Sequence, residues 1–210
     1  MKQESFCKIK NINIEITKEE VEKIMSAEGE VRGTTFKTDE AFIQREVGED
    51  GPKKVEEELQ KMGHPLKYAD MSGMDFYPIG MRILSLIAIK KALNFSDEKI
   101  KEMGSNAPRA SLLIKFFMKH FLSPEKTFAR SGEMWDKHYT AGKLEAVNVD
   151  IAGKTVVMRL TGVKIHPIFC TYLAGYLGGV GKLVVQKEAE TKEHKCPFNG
   201  DDVHEFTIKW

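Results

Sequence analysis

The sequence predicts an α+β fold, with an N-terminal helical layer followed by an antiparallel sheet that carries one late helix on its face. Three observations lead to this prediction. Helical patterns dominate residues 1–140. Near residue 143 the apolar residues change to the alternating period of strands. One more apolar helix, at residues 166–183, then interrupts the alternating segments. Helices that precede antiparallel strands are typical of an α+β domain.

The 210 residues show no repeat or linker, so we expect a single domain with a mainly helical part at 1–140 and a β-rich part at 141–210. A formal charge of +1 gives no indication of direct nucleic-acid binding. The chain begins without an apolar signal segment, its longest apolar run is too charged for a membrane span, and its three cysteines indicate reduced thiols or metal ligands. We therefore expect a cytoplasmic protein.

The elements of the first half follow from local patterns. Residues 9–16 alternate as in a strand. Thr17, followed by Glu20, forms a capping-box pattern at the start of a short helix. Further helices are predicted at residues 38–47 and, from the favourable first-turn proline, at residues 52–63.

The middle of the chain is predicted to be helical and largely buried. A helix at residues 79–93 is apolar on nearly every side, although Arg82 interrupts it. Three more helices are predicted, at residues 98–104, 111–122 and 124–135.

The last third is predicted to form the sheet. Residues 143–151 and 154–163 alternate around a turn and indicate a hairpin. After the helix at 166–183, two further strands are predicted at 184–195 and 203–210, joined by a turn rich in Pro, Asn, Gly and Asp.

Four side chains of this region could meet at a metal ion: Cys170, Glu193, Cys196 and His204. A hairpin would bring Cys196 and His204 together, and a helix packed on the sheet could add Cys170. Glu193 and Cys196 are three residues apart, so a bulge or a strand end is needed for both to point inward. Two thiolates, an imidazole and a carboxylate suit zinc. The alternative is that Cys170 is an ordinary buried side chain of an apolar helix.

The stretches "HPIFCTYLAGYLGG" and "KEHKCPFNGDDVHEFTI" resemble the 4-vinyl reductase domain, which shares a ligand-binding fold with haem-nitric-oxide domains and Golgi-transport subunits. In aromatic-responsive sensors of this family, a cysteine before "G-Y", an "E-x-x-C" and a later cysteine bind zinc. The resemblance implies that Cys170, Glu193 and Cys196 are zinc ligands here. His204 stands in place of the last cysteine. Four protein ligands would make the zinc structural.

The resemblance also implies a small-molecule-binding sensory or regulatory domain for an apolar or aromatic ligand. It implies a homodimer and a signalling protein partner. The alternatives are a relative of tetrapyrrole vinyl reductases and a protein–protein adaptor similar to the Golgi-transport subunits. No nicotinamide or flavin motif is visible, so we expect binding rather than catalysis.

Apolar side chains of the helical part could line the ligand pocket, although core packing explains each of them equally well. These candidates are Phe76, Tyr77, Met81, Phe116, Phe117, Phe121 and Trp135. The histidines allow haem as an alternative ligand, and possible axial ligands are His64, His120, His138, His166 and His194. The sequence lacks the "Y-x-S-x-R" signature of the haem-nitric-oxide relatives, so we expect zinc and not haem.

Overall fold

A computed structural model of the protein describes residues 15–110 and 123–210. The helices are α1 (Lys18–Met25), α2 (Thr34–Val47), α3 (Asp50–Lys61), α4 (Ile79–Ala92), α5 (Asp97–Ala110), α6 (Pro124–Ala129), α7 (Ser131–Asp136) and α8 (Pro167–Val185). The strands are β1 (Glu30–Arg32), β2 (Phe76–Pro78), β3 (Lys143–Asp150), β4 (Thr155–Thr161), β5 (Glu190–Lys195) and β6 (His204–Lys209).

The predicted α+β class is confirmed. Four strands of the C-terminal third form one antiparallel sheet in the order β3-β4-β6-β5. The late helix α8 packs against β5 and β6 on one side and against α5 on the other. Strands β1 and β2 form a separate antiparallel pair.

The predicted capping box begins α1. The Thr17 hydroxyl accepts a hydrogen bond from the Glu20 amide at 3.2 Å, and the Glu20 carboxylate accepts one from the Thr17 amide at 2.8 Å. Two orphan amides of the first turn are thereby satisfied, so this local signal was sufficient to place the helix start.

Several boundaries in the helical part differ from the predictions. Helix α2 begins at Thr34 instead of residue 38, and α5 runs through Gly104 to Ala110. The predicted helix at 124–135 is two short helices that meet at Arg130. Strands β1 and β2 have three residues each, too few for an alternating pattern to show. The predicted helix at 111–122 and most of the predicted strand at 9–16 lie outside the described residues.

The C-terminal elements follow the prediction with one shift. The β3–β4 hairpin is present, with Leu144 opposite Leu160. Helix α8 continues to Val185, and β5 begins only at Glu190. Val184 is 8% exposed and packs in the core, so this β-branched residue extends the buried face of the helix instead of opening a strand.

Helices α5 and α8 pack closely because glycines lie where their backbones meet. A Cβ on Gly104 would overlap the carbonyl oxygen of Tyr172. Cβ atoms on Gly175 and Gly179 would likewise overlap the carbonyl oxygens of Lys101 and Ser105. The close approach fixes α8 between α5 and the sheet, where it carries residues of both candidate sites described below.

By length and composition α8 could span a membrane, and it is the one such helix within the described ranges. In this fold 61% of its apolar window is buried against the rest of the protein. Such burial is what a soluble protein's central helix shows as well.

Candidate functional site

Four buried side chains converge where α8 meets the end of β5 and the start of β6. They are Cys170 on α8, Glu193 on β5, Cys196 directly after β5 and His204 at the start of β6. One ligand atom from each lies within 4.8 Å of each of the others. We call this group the Cys–Glu–His cluster. The structure thus brings together all four residues that the sequence singled out as metal ligands.

The distances within the cluster leave room for one ion at its centre. The Cys170 sulfur lies 3.9 Å from the Cys196 sulfur and 3.8 Å from Nδ1 of His204. That same Nδ1 lies 2.8 Å from a carboxylate oxygen of Glu193. Zinc–sulfur and zinc–nitrogen bonds are about 2.3 Å and 2.0–2.1 Å long, so donor atoms around a tetrahedral ion are separated by distances of this order.

A β-bulge allows Glu193 and Cys196 to share one side of the sheet. The register between β5 and β6 shifts between Glu193, which pairs with Phe206, and Lys195, which pairs with Glu205. His194 is the extra residue. Strict alternation would point Glu193 and Cys196 to opposite faces, and the bulge removes that conflict.

Backbone contacts orient two members of the cluster. Nε2 of His204 lies 3.0 Å from the carbonyl oxygen of Val163, so it carries the proton and donates, which leaves Nδ1 facing the thiols. The Cys196 amide donates to the Asp201 carboxylate at 2.8 Å, which holds the turn after β5. Asp201 therefore serves the turn, and its neighbour Asp202 is exposed.

Burial and mutual contact shift the pKa values of the titratable groups in the cluster. These groups share protons, which a bound metal ion could displace. Burial raises the pKa of Glu193 to about 6, against the lowering effect of its hydrogen bond to His204. Burial lowers the pKa of His204, but hydrogen bonds to Cys196 and Glu193 outweigh it and raise this pKa to about 9. Buried titratable groups this close together are expensive without a compensating ligand.

The predicted pocket residues are only partly gathered. Trp135 on α7 is 3% exposed and lines a cavity of about 50 Å³ together with Phe128, Met158 and Tyr176. Phe76 packs beneath the guanidinium of Arg32, at 4.5 Å from its ring centre. Phe76 therefore has this packing role, and its place in a ligand pocket stays a prediction.

Two other candidates also serve the core. Tyr77 packs edge-on against Phe36, with 5.7 Å between ring centres, and its hydroxyl accepts from the Ser72 amide at 2.9 Å. Met81 is partly buried against the same core. The remaining candidates, Phe116, Phe117 and Phe121, lie outside the described residues, as does His120.

His138 is the histidine that stands out structurally. It follows α7 and is 5% exposed. Its Nδ1 lies 3.0 Å from the Met134 carbonyl oxygen, whereas its Nε2 has no partner within the described structure. Burial, Arg32 and Lys137 lower its pKa, so the ring is neutral near pH 7. It lines a cavity of about 20 Å³ beside Tyr139, Tyr172 and Tyr176.

Other histidines have simpler roles. His166 precedes α8 and its Nδ1 accepts from the Ile168 amide at 3.2 Å, so it caps the helix. His194 is the exposed bulge residue of β5, and His64 lies in a partly exposed turn after α3.

Sequence reasoning missed a buried charged pair next to this second cavity. Arg82 on α4 and Asp39 on α2 form a completely buried ion pair. The Arg82 guanidinium also lies over the Tyr172 ring, at 4.4 Å from its centre. The only signal was a single arginine in an apolar helix. Asp39 is forty-three positions earlier in the chain, so no local pattern connects the two.

Comparisons with known proteins identify the fold. The sequence matches no family model and no curated protein. Solved structures, however, match over most of the chain. An H-NOX protein from S. oneidensis in the Fe(II)NO ligation state is 15% identical, has a TM-score of 0.64, and covers 85% of this chain and 98% of its own. An unliganded Fe(II) H-NOX mutant from K. algicida is 12% identical, with a TM-score of 0.62 and coverages of 85% and 95%.

A third similar structure belongs to work on the function of haem distortion in the H-NOX family. It is 14% identical, has a TM-score of 0.58, and covers 85% of this chain and 94% of its own. The expectation that haem is unlikely was therefore wrong, because this chain shares its fold with H-NOX proteins that contain haem. The descriptions of these three structures do not mention zinc, and assignment to the 4-vinyl reductase family stays a prediction.

Among the described residues, one requirement for haem binding is met, namely a histidine suited to be an axial ligand. A second requirement, a cavity of sufficient volume, is not met. A neutral histidine that donates through Nδ1 to a backbone carbonyl and leaves Nε2 unpartnered has the donor arrangement of an axial ligand, and His138 is such a residue. The two cavities that Tyr176 lines, of about 50 Å³ and 20 Å³, are smaller than pockets for cofactor-sized ligands, which are about 300–1,000 Å³. In its helical layer, its sheet and its late helix, this chain has the fold of the H-NOX, haem-nitric-oxide-binding domains.

Proposed function

We propose that this chain is a small-molecule-binding sensory or regulatory domain whose C-terminal sheet is pinned to α8 by a structural metal ion. The observation that carries the proposal is the Cys–Glu–His cluster, in which four buried donors from three elements meet within 4.8 Å. The similarity in fold to H-NOX domains supports the sensory part. A soluble, cytoplasmic setting in which the thiols stay reduced belongs to the same proposal.

The donor set determines which metal fits. Cys170 and Cys196 supply soft sulfur, His204 supplies nitrogen through Nδ1, and Glu193 supplies oxygen. A mixed sulfur, nitrogen and oxygen set of four suits a tetrahedral zinc-class ion better than magnesium or calcium, which take oxygen ligands. With four protein donors no coordination position is left for water. The ion then stabilises the fold instead of activating a nucleophile.

Metal content measured on variants tests this proposal. The purified chain, grown with zinc available, is expected to contain about one metal ion per chain by native mass spectrometry and elemental analysis. The Cys170→Ser, His204→Ala double variant is expected to lose it. His194→Ala is the matched control, because it changes an exposed histidine of the same strand. A double variant that binds metal stoichiometrically would contradict the site.

The ligand of the sensory domain is proposed to be a small apolar or aromatic molecule. The chamber would form around Trp135 and Tyr176, where the apolar cavity already exists. At about 50 Å³ this cavity must open before it can take a ring-sized ligand, and rotation of the half-buried Tyr176 would join it to the cavity beside His138. Co-purified ligand detected by native mass spectrometry, and its loss in Trp135→Ala, would support this part.

A second candidate is haem binding, which the unpartnered Nε2 of His138 specifically favours. Haem would supply an iron that binds diatomic gases, and His138 would hold it from the side of α7. Titration of the purified chain with haemin tests this, read by the Soret band. A sharp band that shifts in His138→Ala supports the candidate, and a spectrum identical in the variant removes it. Metal content of the cluster is measured in the same samples, so the two proposals succeed or fail separately.

A further inference from the structure

The four-stranded sheet has one face buried against α8 and one face in contact with solvent. Along β4, the buried residues Val156, Met158 and Leu160 alternate with partly exposed ones. Strand β6 alternates in the same way, with Phe206 and Ile208 buried. Because the side chains of a strand point alternately to opposite faces, the partly exposed positions share one face, which we call the outer sheet face.

The cross-strand register arranges the outer sheet face in rows that run across β3, β4, β6 and β5. The first row is Glu145, Arg159, Glu205 and Lys195, the second is Asn148, Val157, Thr207 and Lys192, and the third is Asp150, Thr155, Lys209 and Glu190. Each of these residues is half-buried or exposed, so the face is accessible to a partner.

The charges of the first row alternate in sign and hold one another in place. Nη2 of Arg159 lies 3.0 Å from a carboxylate oxygen of Glu205, and its Nη1 lies 3.9 Å from one of Glu145. Nζ of Lys195 lies 3.4 Å from the same Glu205 oxygen. Across the four strands, the row therefore reads negative, positive, negative, positive.

An alternating row of four charges is complementary to its own reverse. A twofold axis parallel to the strands, midway between β4 and β6, would lay a second copy over the outer sheet face with the rows level and the strand order reversed. Arg159 would then face Glu205 of the second copy, and Glu145 would face its Lys195. The axis makes each contact occur twice. A row that read negative, positive, positive, negative would instead place like charges opposite one another.

The second row leaves the centre of the outer sheet face flat. Val157 and Thr207 are cross-strand partners on the two central strands, so Val157 would face Thr207 of the second copy. Both side chains are short and β-branched, as is that of Thr155 in the next row. Sheets that pack face to face lie about 10 Å apart, a separation that short central side chains permit. The longer charged side chains of the first row can then reach across.

The third row and the area of the face limit the strength of such a contact. Asp150 would lie over Glu190 of the second copy, a like-charge pair, although both lie at corners, where two twisted sheets diverge. Four strands about 4.8 Å apart and about six residues long cover roughly 400 Å². A standard stable interface buries about 800 Å² per partner. The outer sheet face therefore suits a weak dimer.

We infer that the outer sheet face is a self-association surface through which two copies of this chain form a weak, salt-sensitive dimer. Arg159 and Glu205 carry the contact across the twofold axis, and Val157 and Thr207 form its centre. The inference goes beyond the proposed metal and ligand sites, because those lie on the inner side of the sheet and do not need this surface.

Sedimentation equilibrium of the full chain, over a concentration series that reaches the millimolar range, tests the inference. A reversible dimer is expected, and its dissociation constant should rise with salt, because exposed charges are screened. Arg159→Glu and Glu205→Arg should each weaken the dimer at least about tenfold, since each places like charges opposite one another across the axis. Arg45→Glu, which reverses an exposed arginine on α2, is the control and should leave the dimer unchanged.

Mixing the two variants separates an intermolecular contact from a general effect on the fold. In a dimer of one Arg159→Glu chain and one Glu205→Arg chain, two negative charges on one face meet two positive charges on the other. The equimolar mixture should therefore dimerise to within about threefold of the wild type. A monomeric wild type, an unchanged dimer in both variants, or a mixture no better than the separate variants would overturn the inference.

A measurement on the unmodified protein decides the matter if a variant does not fold. Dilution of the isotope-labelled chain should shift the amide NMR signals of Val157, Arg159 and Thr207 on the two central strands. The signals of α2 and α3 should stay in place. Dilution shifts confined to other elements would overturn the assignment of the outer sheet face.

Discussion

The buried pair of Arg82 and Asp39 is the residue-scale feature with the largest expected effect on stability. Both side chains are fully excluded from solvent, and Nε of Arg82 has no partner in the described structure. Burial disfavours the charge on Arg82, but the adjacent Asp39 outweighs burial and raises the pKa of the arginine. Burial likewise raises the pKa of Asp39 against the lowering effect of the adjacent guanidinium, so each charge depends on the other.

Removal of one charge should therefore be severe. Asp39→Asn is expected to lower the free energy of unfolding by about 3–5 kcal/mol, because it leaves a buried guanidinium uncompensated. Chemical denaturation measures the change. Glu40→Gln is the control, since this neighbour forms a partly exposed pair with Lys37 and should cost less than about 1 kcal/mol. A cost for Asp39→Asn that is no larger than the control's would refute the argument.

Glu46 should make stability depend on pH in the acid range. Hydrogen bonds from Lys99 and Arg45 lower its pKa from the ordinary value. A carboxyl with a lowered folded-state pKa contributes stability above its unfolded-state pKa, about 4.3, and loses it as pH falls through the folded value. The difference in unfolding free energy between the wild type and Glu46→Gln should be at most about 1 kcal/mol at pH 7. It should shrink as the pH falls below the unfolded-state pKa and vanish once the pH is below the lowered folded-state pKa. A difference that stays constant with pH would contradict the assignment.

At the scale of elements, the contact between α5 and α8 depends on the absence of a side chain. Gly104 lies against the carbonyl oxygen of Tyr172, and a Cβ there has no space. Gly104→Ala should cost about 1–3 kcal/mol by overpacking, although alanine is the better helix former by about 1 kcal/mol. Thermal unfolding measures this, with Ser105→Ala as the control on the same helix. A stabilised Gly104→Ala variant would show that the helices can move apart freely.

The bulge in β5 shows how an element positions a site. One extra residue, His194, puts Glu193 and Cys196 on the same side of the sheet. The sequence indicated that such an irregularity was needed, because the two candidates are three residues apart. It did not indicate whether the bulge or the end of the strand would provide it. Pairing with β6 decided that.

At the scale of the whole molecule, the proposed metal ion joins α8 to the β5–β6 pair. Removal of the metal with a strong chelator should lower the midpoint of thermal unfolding. If free metal is about a hundredfold above its dissociation constant, binding stabilises by about 2.7 kcal/mol. This corresponds to about 5–10 °C for a chain of this length. Differential scanning calorimetry measures the shift, and added zinc should reverse it. The Cys170→Ser, His204→Ala variant should show no change in its unfolding midpoint when the chelator is added. An equal change in this variant would contradict metal binding at the Cys–Glu–His cluster.

Similarity to known folds also belongs to this scale. At 12–15% identity to the H-NOX structures from S. oneidensis and K. algicida, overall sequence identity is too low to reveal the shared fold. The resemblance of two C-terminal stretches predicted it, and the order and packing of the elements confirm it. The homodimer and the signalling partner stay predictions, and light scattering of the purified chain measures the oligomeric state directly.

The sequence by itself determined the α+β class, the capping box of α1 and the β3–β4 hairpin, and it named as candidates the four residues that meet in the Cys–Glu–His cluster. Each of these depends on local patterns or on donor chemistry that can be read along the chain. The tertiary structure alone decided the pairing of Arg82 with Asp39 and the burial of His138, whose Nε2 has no partner among the described residues. Both depend on how elements that are distant in sequence pack together, which no local pattern shows. The expectation against haem was wrong for the same reason, because a short missing motif says little about the fold that the packed elements share.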